Sequence, residues 1–164
     1  MSGTARNSTA DLTHSEAEAL EKGCFVLEPD AVGGEDPLAQ TVAEYAALLK
    51  SSLSTAEAAK RLGVDPSRIR QRLTSEPPTL YGIRIGTSWR IPEVQFEGNE
   101  LVHGIGEVTS RLDPELHPVA VLRWLTTPSP DLPADEAQGR SISPRDWLRL
   151  GLPIQPVADL AANL

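Results

Sequence analysis

Apolar residues recur with helical spacing in the first predicted element, which covers residues 37–50 (PLAQTVAEYAALLK). Four of them occupy the positions i, i+4, i+7 and i+11 that share one face of a helix: Leu38, Val42, Tyr45 and Leu49. Pro37 suits the first position of a helix, because its missing N–H is not needed there. The pattern therefore predicts a helix with one apolar stripe.

A second helix is predicted over residues 55–62 (TAEAAKRL). Ser54 and Glu57 have the separation of a capping box, in which each side chain accepts a hydrogen bond from the backbone N–H of the other residue. Gly63 follows the last helical residue, where a left-handed backbone conformation commonly ends a helix. These signals predict a short helix followed by a tight turn.

A third helix is predicted from Pro66 to about Leu73. Asp65 can cap its N-terminus, and Pro66 suits its first position. Ile69 and Leu73 fall on one face of this helix, so we expect them to pack against the preceding helix. The double proline at residues 77–78 is expected to end this part of the chain.

The period of the pattern then changes from that of a helix to that of a strand. Residues 80–85 (LYGIRI) and 89–92 (WRIP) read as strands, and residues 86–88 (GTS) can form the turn between them. Two short helices joined by a tight turn and followed by a β-hairpin form a helix-turn-helix with a wing.

The last third of the chain is interrupted by prolines. Apolar residues have helical spacing at residues 114–126, 144–150 and 156–164, and residues 129–139 have the composition of a loop. The predicted fold class is therefore mainly α with a small β-hairpin wing. The predicted organisation is an acidic, flexible arm (1–36), a winged helix-turn-helix domain (37–96), a linker (97–107) and a small C-terminal helical domain (108–164).

The formal net charge of −8 is unevenly distributed along the chain. Residues 1–43 contain two basic and eight acidic groups, residues 44–96 eight basic and five acidic groups, and residues 97–164 five basic and ten acidic groups. A phosphate backbone responds to the local field rather than to the net charge of the whole chain. The basic middle segment is therefore compatible with nucleic acid binding.

The residue types that catalysis would need do not occur in a recognisable pattern. The single cysteine, Cys24, excludes an intrachain disulfide and a zinc site made of several cysteines. His103 and His117 are isolated, and no metal, phosphate-loop or triad spacing occurs. No apolar run approaches the roughly 18 residues of a membrane span. We therefore expect a cytoplasmic protein that is not an enzyme, needs no cofactor or metal and has no membrane partner.

The third predicted helix carries the candidate DNA-reading side chains. Arg68 and Gln71 lie opposite its apolar face, and side chains of these types can reach base edges. Flanking arginines, hydroxyl groups and helix N-termini contact phosphates. The predicted DNA-binding residues are Thr55, Ser67, Arg68, Arg70, Gln71, Arg72, Arg84, Thr87, Ser88 and Arg90.

Residues 53–92 resemble the winged helix-turn-helix domains of excisionase-like and MerR-like proteins. The resemblance rests on the TAEAA start of the second helix, the LGV turn, the arginine-containing third helix and the GTSWRIP wing. This sequence departs from the pattern by inserting SEPP at residues 75–78 before the first wing strand. The resemblance implies binding to double-stranded DNA.

Residues 112–164 resemble the toxin-binding domain of antitoxins that pair with RES-domain toxins, which degrade NAD. The similar segments are HPV at 117–119, RWLTTP at 123–128, SPRDWL at 143–148 and VADLA at 157–161. The resemblance implies a RES-like toxin as protein partner. The residues that we expect to contact a partner are Trp147, Leu148, Leu150, Val157, Leu160 and Leu164.

Together these features favour an antitoxin-like transcriptional regulator that represses its own operon and blocks a toxin sterically. Such a protein is expected to act as a homodimer or a hetero-oligomer. One alternative is an excisionase-like or MerR-like regulator that has no toxin partner. Another is a protein-interaction module in which the helix-turn-helix is only a scaffold.

Overall fold

The computed structural model describes residues 36–133 and 139–164 of the protein. The arm expected over residues 1–36 lies outside the described residues, except for Asp36. Residues 37–164 belong to one compact unit. The part of the chain that the structure describes is mainly α-helical with small antiparallel sheets, as the sequence predicts.

Seven α-helices form in the described residues: α1 (Pro37–Lys50), α2 (Thr55–Leu62), α3 (Pro66–Thr74), α4 (Ile105–Thr109), α5 (Pro118–Thr126), α6 (Pro144–Arg149) and α7 (Ile154–Ala161). The strands are β1 (Ser52–Leu53), β2 (Ile83–Ile85), β3 (Ser88–Pro92), β4 (Phe96–Glu97) and β5 (Glu100–Leu101). A 3-10 turn, Glu93–Gln95, connects β3 to β4.

Both small sheets are antiparallel. In the first, β3 lies between β1 and β2, and Ile83 is opposite Arg90 in the β2–β3 hairpin. The second is the β4–β5 hairpin, in which Phe96 is opposite Leu101. The first sheet attaches the segment before α2 to the β2–β3 hairpin, so the hairpin is fixed beside the α2–α3 pair.

Two clusters of buried apolar side chains hold the fold together. The first joins α2, α3 and the β2–β3 hairpin, and contains Ala58, Ala59, Ile69, Leu73, Leu80, Ile91 and Phe96. The second joins the C-terminal helices, and contains Val102, Ile105, Val108, Val121, Leu125, Leu132, Trp147, Leu148, Val157, Ala158 and Ala161. Leu101 packs against both clusters, so the two are continuous at β5.

The apolar stripe predicted on α1 is not its buried face. Leu38 and Val42 are 70% and 60% exposed, whereas Leu48, which is outside the stripe, is buried. Helix α1 packs against α5 and β3, and these neighbours cover the side that carries Leu48. The helix itself has the predicted bounds.

The linker predicted over residues 97–107 is wrong. Gly98 has a φ of 59° and forms the turn of the β4–β5 hairpin, and α4 begins at Ile105. Val102 and Ile105 are both buried in the C-terminal cluster. These apolar residues need cover, so the segment folds as part of the compact unit instead of spanning between two domains.

Two C-terminal helices have different bounds from those predicted. Helix α5 begins at Pro118 and not at residue 114, because His117 caps it through a 3.3 Å hydrogen bond from the N–H of Val119 to Nδ1. Helix α7 covers Ile154–Ala161 instead of residues 156–164. Helix α6 follows Ser143, which caps it, close to the predicted range.

Candidate nucleic-acid interface

Helix α3 separates its apolar and basic side chains cleanly. Ile69 and Leu73 are buried against α2 and the β2–β3 hairpin. Five polar residues on the other sides of the helix are exposed to solvent: Ser67, Arg68, Arg70, Gln71 and Arg72. The helix therefore has the inward and outward faces that the sequence predicts.

Local hydrogen bonds fix where α2 begins. The N–H of Glu57 donates to the Ser54 hydroxyl at 3.2 Å, and the N–H of Ser54 donates to the Glu57 carboxylate at 2.7 Å. This is the predicted capping box. The hydrogen bonds from Ser54 also lower the pKa of Glu57, with a smaller contribution from the charge of Arg90.

The turn between α2 and α3 also forms as predicted. Gly63 has a φ of 63°, a left-handed conformation that side chains disfavour, and its N–H donates to carbonyl groups at the end of α2. The N–H of Ser67 donates to the Asp65 carboxylate at 2.8 Å, which caps α3. Hydrogen bonds from Ser67, and then the charge of Arg70, lower the pKa of Asp65. The turn thus sets the angle at which α3 presents its outer face.

Four exposed arginines of α3 and the β2–β3 hairpin have no hydrogen-bonded or ion-paired side chain within the part of the chain that the structure describes. In the described residues, the side chains of Arg68, Arg70, Arg72 and Arg90 form no hydrogen bond or ion pair. Arginines elsewhere bind carboxylates or carbonyl groups: Arg61, Arg111, Arg123, Arg145 and Arg149. Outside this region only Arg140, among the arginines that the structure describes, lacks such a partner. The guanidinium groups near α3 are therefore available to an external anion.

The β2–β3 hairpin carries further exposed polar residues. Arg84, Thr87, Ser88 and Arg90 are exposed, and a two-residue turn with Gly86 at a φ of 59° connects the strands. The Arg84 guanidinium lies 5.9 Å from the centre of the Trp89 ring, and its Nε donates to the Gly86 carbonyl at 3.3 Å. Arg84 is therefore partly oriented by its own hairpin.

The strand register places the two arginines of the β2–β3 hairpin on different faces. Arg84 is opposite Trp89, and Arg90 is opposite Ile83. Opposite residues share a face and neighbouring residues alternate, so Arg84 and Arg90 lie on different faces of the hairpin.

Thr55 differs from the other predicted DNA-binding residues. It is the first residue of α2, directly after the cap Ser54, and it is half-buried. It can contact an anion at the N-terminus of α2 only with the exposed part of its side chain. The remaining predicted residues are all exposed.

A groove beside α3 was not predicted from the sequence. It has a volume of about 540 Å³, and its apolar lining residues are Leu62, Val64, Ile69 and Leu101. Its polar lining residues are Arg68 and Arg72, the carboxylates Asp65 and Glu100, and Asn99 of the β4–β5 hairpin. The sequence gives no signal for it, because the segment that contains Asn99 has the composition of a linker.

The structure divides the predicted partner-binding residues into two groups. Trp147, Leu148 and Val157 are buried in the C-terminal cluster, and the Trp147 indole N–H donates to the Pro153 carbonyl at 2.7 Å. These three residues pack within the fold and cannot contact a partner while the cluster is intact, which corrects that part of the prediction. Their apolar side chains are what covers α4 and α5.

The other three predicted partner-binding residues reach the surface. Leu150 and Leu164 are 61% and 47% exposed, and Leu160 is half-buried. Leu150 follows α6, and Leu164 is three residues beyond the end of α7. A partner that binds the folded C-terminal region would meet these side chains.

Neither a metal-binding cluster nor a membrane-spanning helix is found among the described residues. No group of three or more histidine, cysteine, aspartate or glutamate side chains in residues 36–133 and 139–164 could hold a metal ion. None of the helices in these ranges has the length and apolar character needed to span a bilayer.

Comparisons with known proteins give little further assignment. Neither a protein-family model nor a curated protein matches the chain. The NMR structure of Rv2175c is similar, with a TM-score of 0.48 and 24% sequence identity, and the match covers 68% of this chain and 79% of that chain. At this similarity the match assigns neither a family nor a function.

Proposed function

We propose that this chain binds double-stranded DNA sequence-specifically, through a winged helix-turn-helix formed by α2, α3 and the β2–β3 hairpin. The observation that carries the proposal is the set of exposed arginines around α3 that have no partner among the described residues. A protein that leaves these cations unpaired, while it pairs most of its other arginines, is suited to an external polyanion.

In the proposed mode of binding, α3 enters the major groove. Arg68 and Gln71 lie on its outer face, where they can pair with guanine and adenine edges respectively. Arg70 and Arg72 flank that face and can contact the phosphates on either side. The β2–β3 hairpin lies in the neighbouring minor groove, where its two faces bring Arg84 and Arg90 to opposite walls.

The charge distribution supports this mode of binding. Three acidic groups near α3 have local partners: Glu57 and Asp65 cap helices, and Glu93 forms a 2.6 Å ion pair with Arg61. A fourth, Glu100, lines the groove beside Arg68 and Arg72. Residues 44–96, which contain α3 and the β2–β3 hairpin, nevertheless hold eight basic and five acidic groups, although the whole chain carries −8. Local cations control association with DNA, and the acidic remainder lowers non-specific binding.

The proposed role is that of a transcriptional regulator, and an antitoxin-like role is the second candidate. The observation that favours the second is the exposure of Leu150 and Leu164 on the C-terminal region. Expression of the neighbouring gene alone, with and without this chain, tests it. If the neighbouring gene is toxic and this chain relieves the toxicity, the antitoxin-like role is supported. If the neighbouring gene is harmless, a regulator without a toxin partner is favoured.

Selection of DNA sites from a random duplex pool, followed by fluorescence anisotropy, tests the DNA-binding proposal. We expect one enriched motif, and a plot of log affinity against log salt concentration with a slope of about −0.9 for each phosphate contacted. In the variant Arg70→Ala/Arg72→Ala, this slope should be less negative than in the wild type by about two.

The variant Arg111→Ala is the matched control for this experiment. Arg111 is exposed but pairs with Asp159 and Glu107 in the C-terminal region, so its loss should leave the slope unchanged. No binding at low salt, or equal slopes for all three proteins, would mean that the helix-turn-helix is only a scaffold.

A further inference from the structure

A buried side-chain amide joins the segment before β2 to the turn after β3. Gln95 lies in the 3-10 turn after β3, and its side chain is 0% exposed. Its amide oxygen accepts from the N–H of Tyr81 at 2.8 Å, and its Nε2 donates to the carbonyl of Tyr81 at 2.8 Å. The side chain thus pairs with the backbone two residues before β2, much as a neighbouring strand would.

The backbone around Gln95 is held from the C-terminal side. Arg145 of α6 donates from Nε to the Val94 carbonyl at 2.7 Å and from Nη2 to the Phe96 carbonyl at 3.3 Å. The carbonyl of Gln95 itself accepts from the N–H of Val102 at 2.8 Å. The guanidinium group therefore binds the backbone carbonyls on both sides of Gln95. These hydrogen bonds, together with the one from Val102, connect Gln95 to the C-terminal region.

Gly82, which directly precedes β2, lies close to α3. A Cβ atom at Gly82 would lie 2.5 Å from Leu73 Cδ2 and 2.9 Å from Trp89 Cε3. Glycine is thus required where the hairpin crosses α3. The first residues of the hairpin are fixed between α3 on one side and the Gln95 amide on the other.

We propose that Gln95 and Arg145 are positioning residues that set the angle of the hairpin relative to α3. We name their hydrogen bonds to Tyr81, Val94 and Phe96 the stem contact. The proposal rests on the proposed function, since the angle matters because α3 and the hairpin must reach adjacent grooves at once. It makes α6 part of the DNA-binding apparatus, although α6 itself touches no DNA.

The chemistry of the amide explains why its loss would act on the hairpin. Replacing Gln95 by an apolar residue of similar size leaves both the N–H and the carbonyl of Tyr81 without their partner. The Tyr81 backbone would then turn toward water, and the strand that follows would move with it. The capped α2–α3 pair makes none of the hydrogen bonds of the stem contact, so it should keep its structure.

Hydrogen exchange of the full chain, measured amide by amide, tests the proposal without DNA. In Gln95→Met we expect the amides of Tyr81 and of the β2–β3 hairpin to exchange about tenfold faster, with α2 and α3 unchanged. Arg145→Lys keeps the charge but cannot donate both hydrogen bonds to Val94 and Phe96. It should give the same local increase in exchange, but a smaller one. It is also the decisive variant if Gln95→Met does not fold.

Val157→Ala is the control for general destabilisation. It opens a hole in the C-terminal cluster away from the stem contact, so it should raise exchange in all elements in proportion to lost stability. If Gln95→Met and Arg145→Lys show this uniform pattern, Gln95 is an ordinary core residue and the proposal is wrong.

Anisotropy with the selected duplex separates the two proposals. In Gln95→Met the salt slope should become less negative by about 0.9 for each hairpin arginine that no longer contacts a phosphate. Because the hairpin has two arginines, the whole change is at most about two. The preferred DNA sequence should stay the same. A wild-type slope in this variant would overturn the positioning role and leave DNA binding intact. If the wild-type chain binds no DNA, but Gln95→Met shows the local exchange pattern, the proposed function is overturned and the stem contact is retained as the support of the hairpin.

Discussion

Arg68 and Gln71 are the two residues most directly suited to reading bases. Both are exposed on α3, and the structure gives neither side chain a hydrogen bond within the described residues. We expect Arg68→Ala/Gln71→Ala to leave the melting temperature unchanged and to lose about 1–3 kcal/mol of affinity for the selected site per lost base contact. Competition between the selected duplex and random DNA measures this loss.

The same variant should bind random DNA nearly as well as the wild type does. Phosphate contacts carry non-specific affinity, and most cations of the interface remain. The discrimination between selected and random duplex should therefore shrink. A variant that still discriminates as the wild type does would place base reading elsewhere than on α3.

Because Asp65 caps α3 with an ionised carboxylate, the stability of the protein should depend on pH through this residue. Its pKa lies below the usual value because of the hydrogen bonds from Ser67 and the charge of Arg70. A carboxylate with a lowered pKa in the folded state stabilises the protein above its unfolded pKa of about 3.9 and loses that effect as pH falls through the folded pKa. We expect the melting temperature to fall between about pH 5 and pH 3.

Asp65→Asn isolates this effect, because asparagine caps a helix but carries no charge. Its melting temperature should decline less steeply over the same acidic range, with the remaining decline due to groups such as Glu57 and Glu44, whose pKa values are also lowered by hydrogen bonds. Identical acid profiles for the variant and the wild type would show that Asp65 titrates alike in both states.

At the scale of elements, the approach of the β2–β3 hairpin to α3 depends on Gly82. The methyl group of Gly82→Ala would overlap Leu73 Cδ2 and Trp89, and both neighbours are packed in the first cluster. Forcing an extra carbon into such a site typically costs about 1–3 kcal/mol. Chemical denaturation measures this loss.

A double variant distinguishes overlap from other effects of alanine. Valine has no Cδ, so Leu73→Val removes the atom closest to the added methyl group. Gly82→Ala/Leu73→Val should therefore be more stable than the sum of the two single losses predicts. Simple additivity would mean that Leu73 does not restrict Gly82.

The elements that the sequence predicts well are those fixed by neighbouring residues. The capping box of Ser54 and Glu57, the left-handed Gly63 and the Asp65 cap each act within three residues along the chain. The bounds of α2 and α3 follow from them. The candidate face of α3 was predicted for the same reason, since helical spacing alone places Arg68 and Gln71 opposite Ile69.

The elements that the sequence does not predict depend on distant residues. The buried side of α1 is determined by β3 and α5, and Arg123 of α5 pairs with Glu44 at 2.7 Å across the chain. The segment 97–107 folds because C-terminal helices cover Val102 and Ile105. The role of Gln95 has no local signal, since the main partner of its side chain is the backbone of Tyr81, 14 residues earlier.

At the scale of the whole molecule, the two apolar clusters behave as parts of one unit. Leu101 packs against both, Arg61 of α2 donates to the Gly98 carbonyl at 2.7 Å, and Arg149 of α6 pairs with Glu97 at 2.9 Å. The β4–β5 hairpin is thus held from both sides. A DNA-binding half and a C-terminal half that fold independently are not expected from these contacts.

A chain that ends at Gln155 tests this unity. It lacks most of α7, including Val157 and Ala158, which are fully buried against α4 and α6. Burial of one valine side chain contributes about 1.5–3 kcal/mol, so losing the helix removes a large part of a typical stability of about 5–15 kcal/mol. We expect a much lower melting temperature and, through the stem contact, weaker binding to the selected duplex.

The matched control is a chain that ends at Ala161, which loses only the three exposed residues 162–164 and keeps all of α7. It should melt and bind DNA as the full chain does, because none of the removed side chains belongs to the buried cluster. Circular dichroism and anisotropy on the three chains give both quantities. If the chain ending at Gln155 retains full DNA affinity, the region from α1 to β3 folds and binds alone, and the C-terminal helices are a separate module, as the sequence by itself predicts.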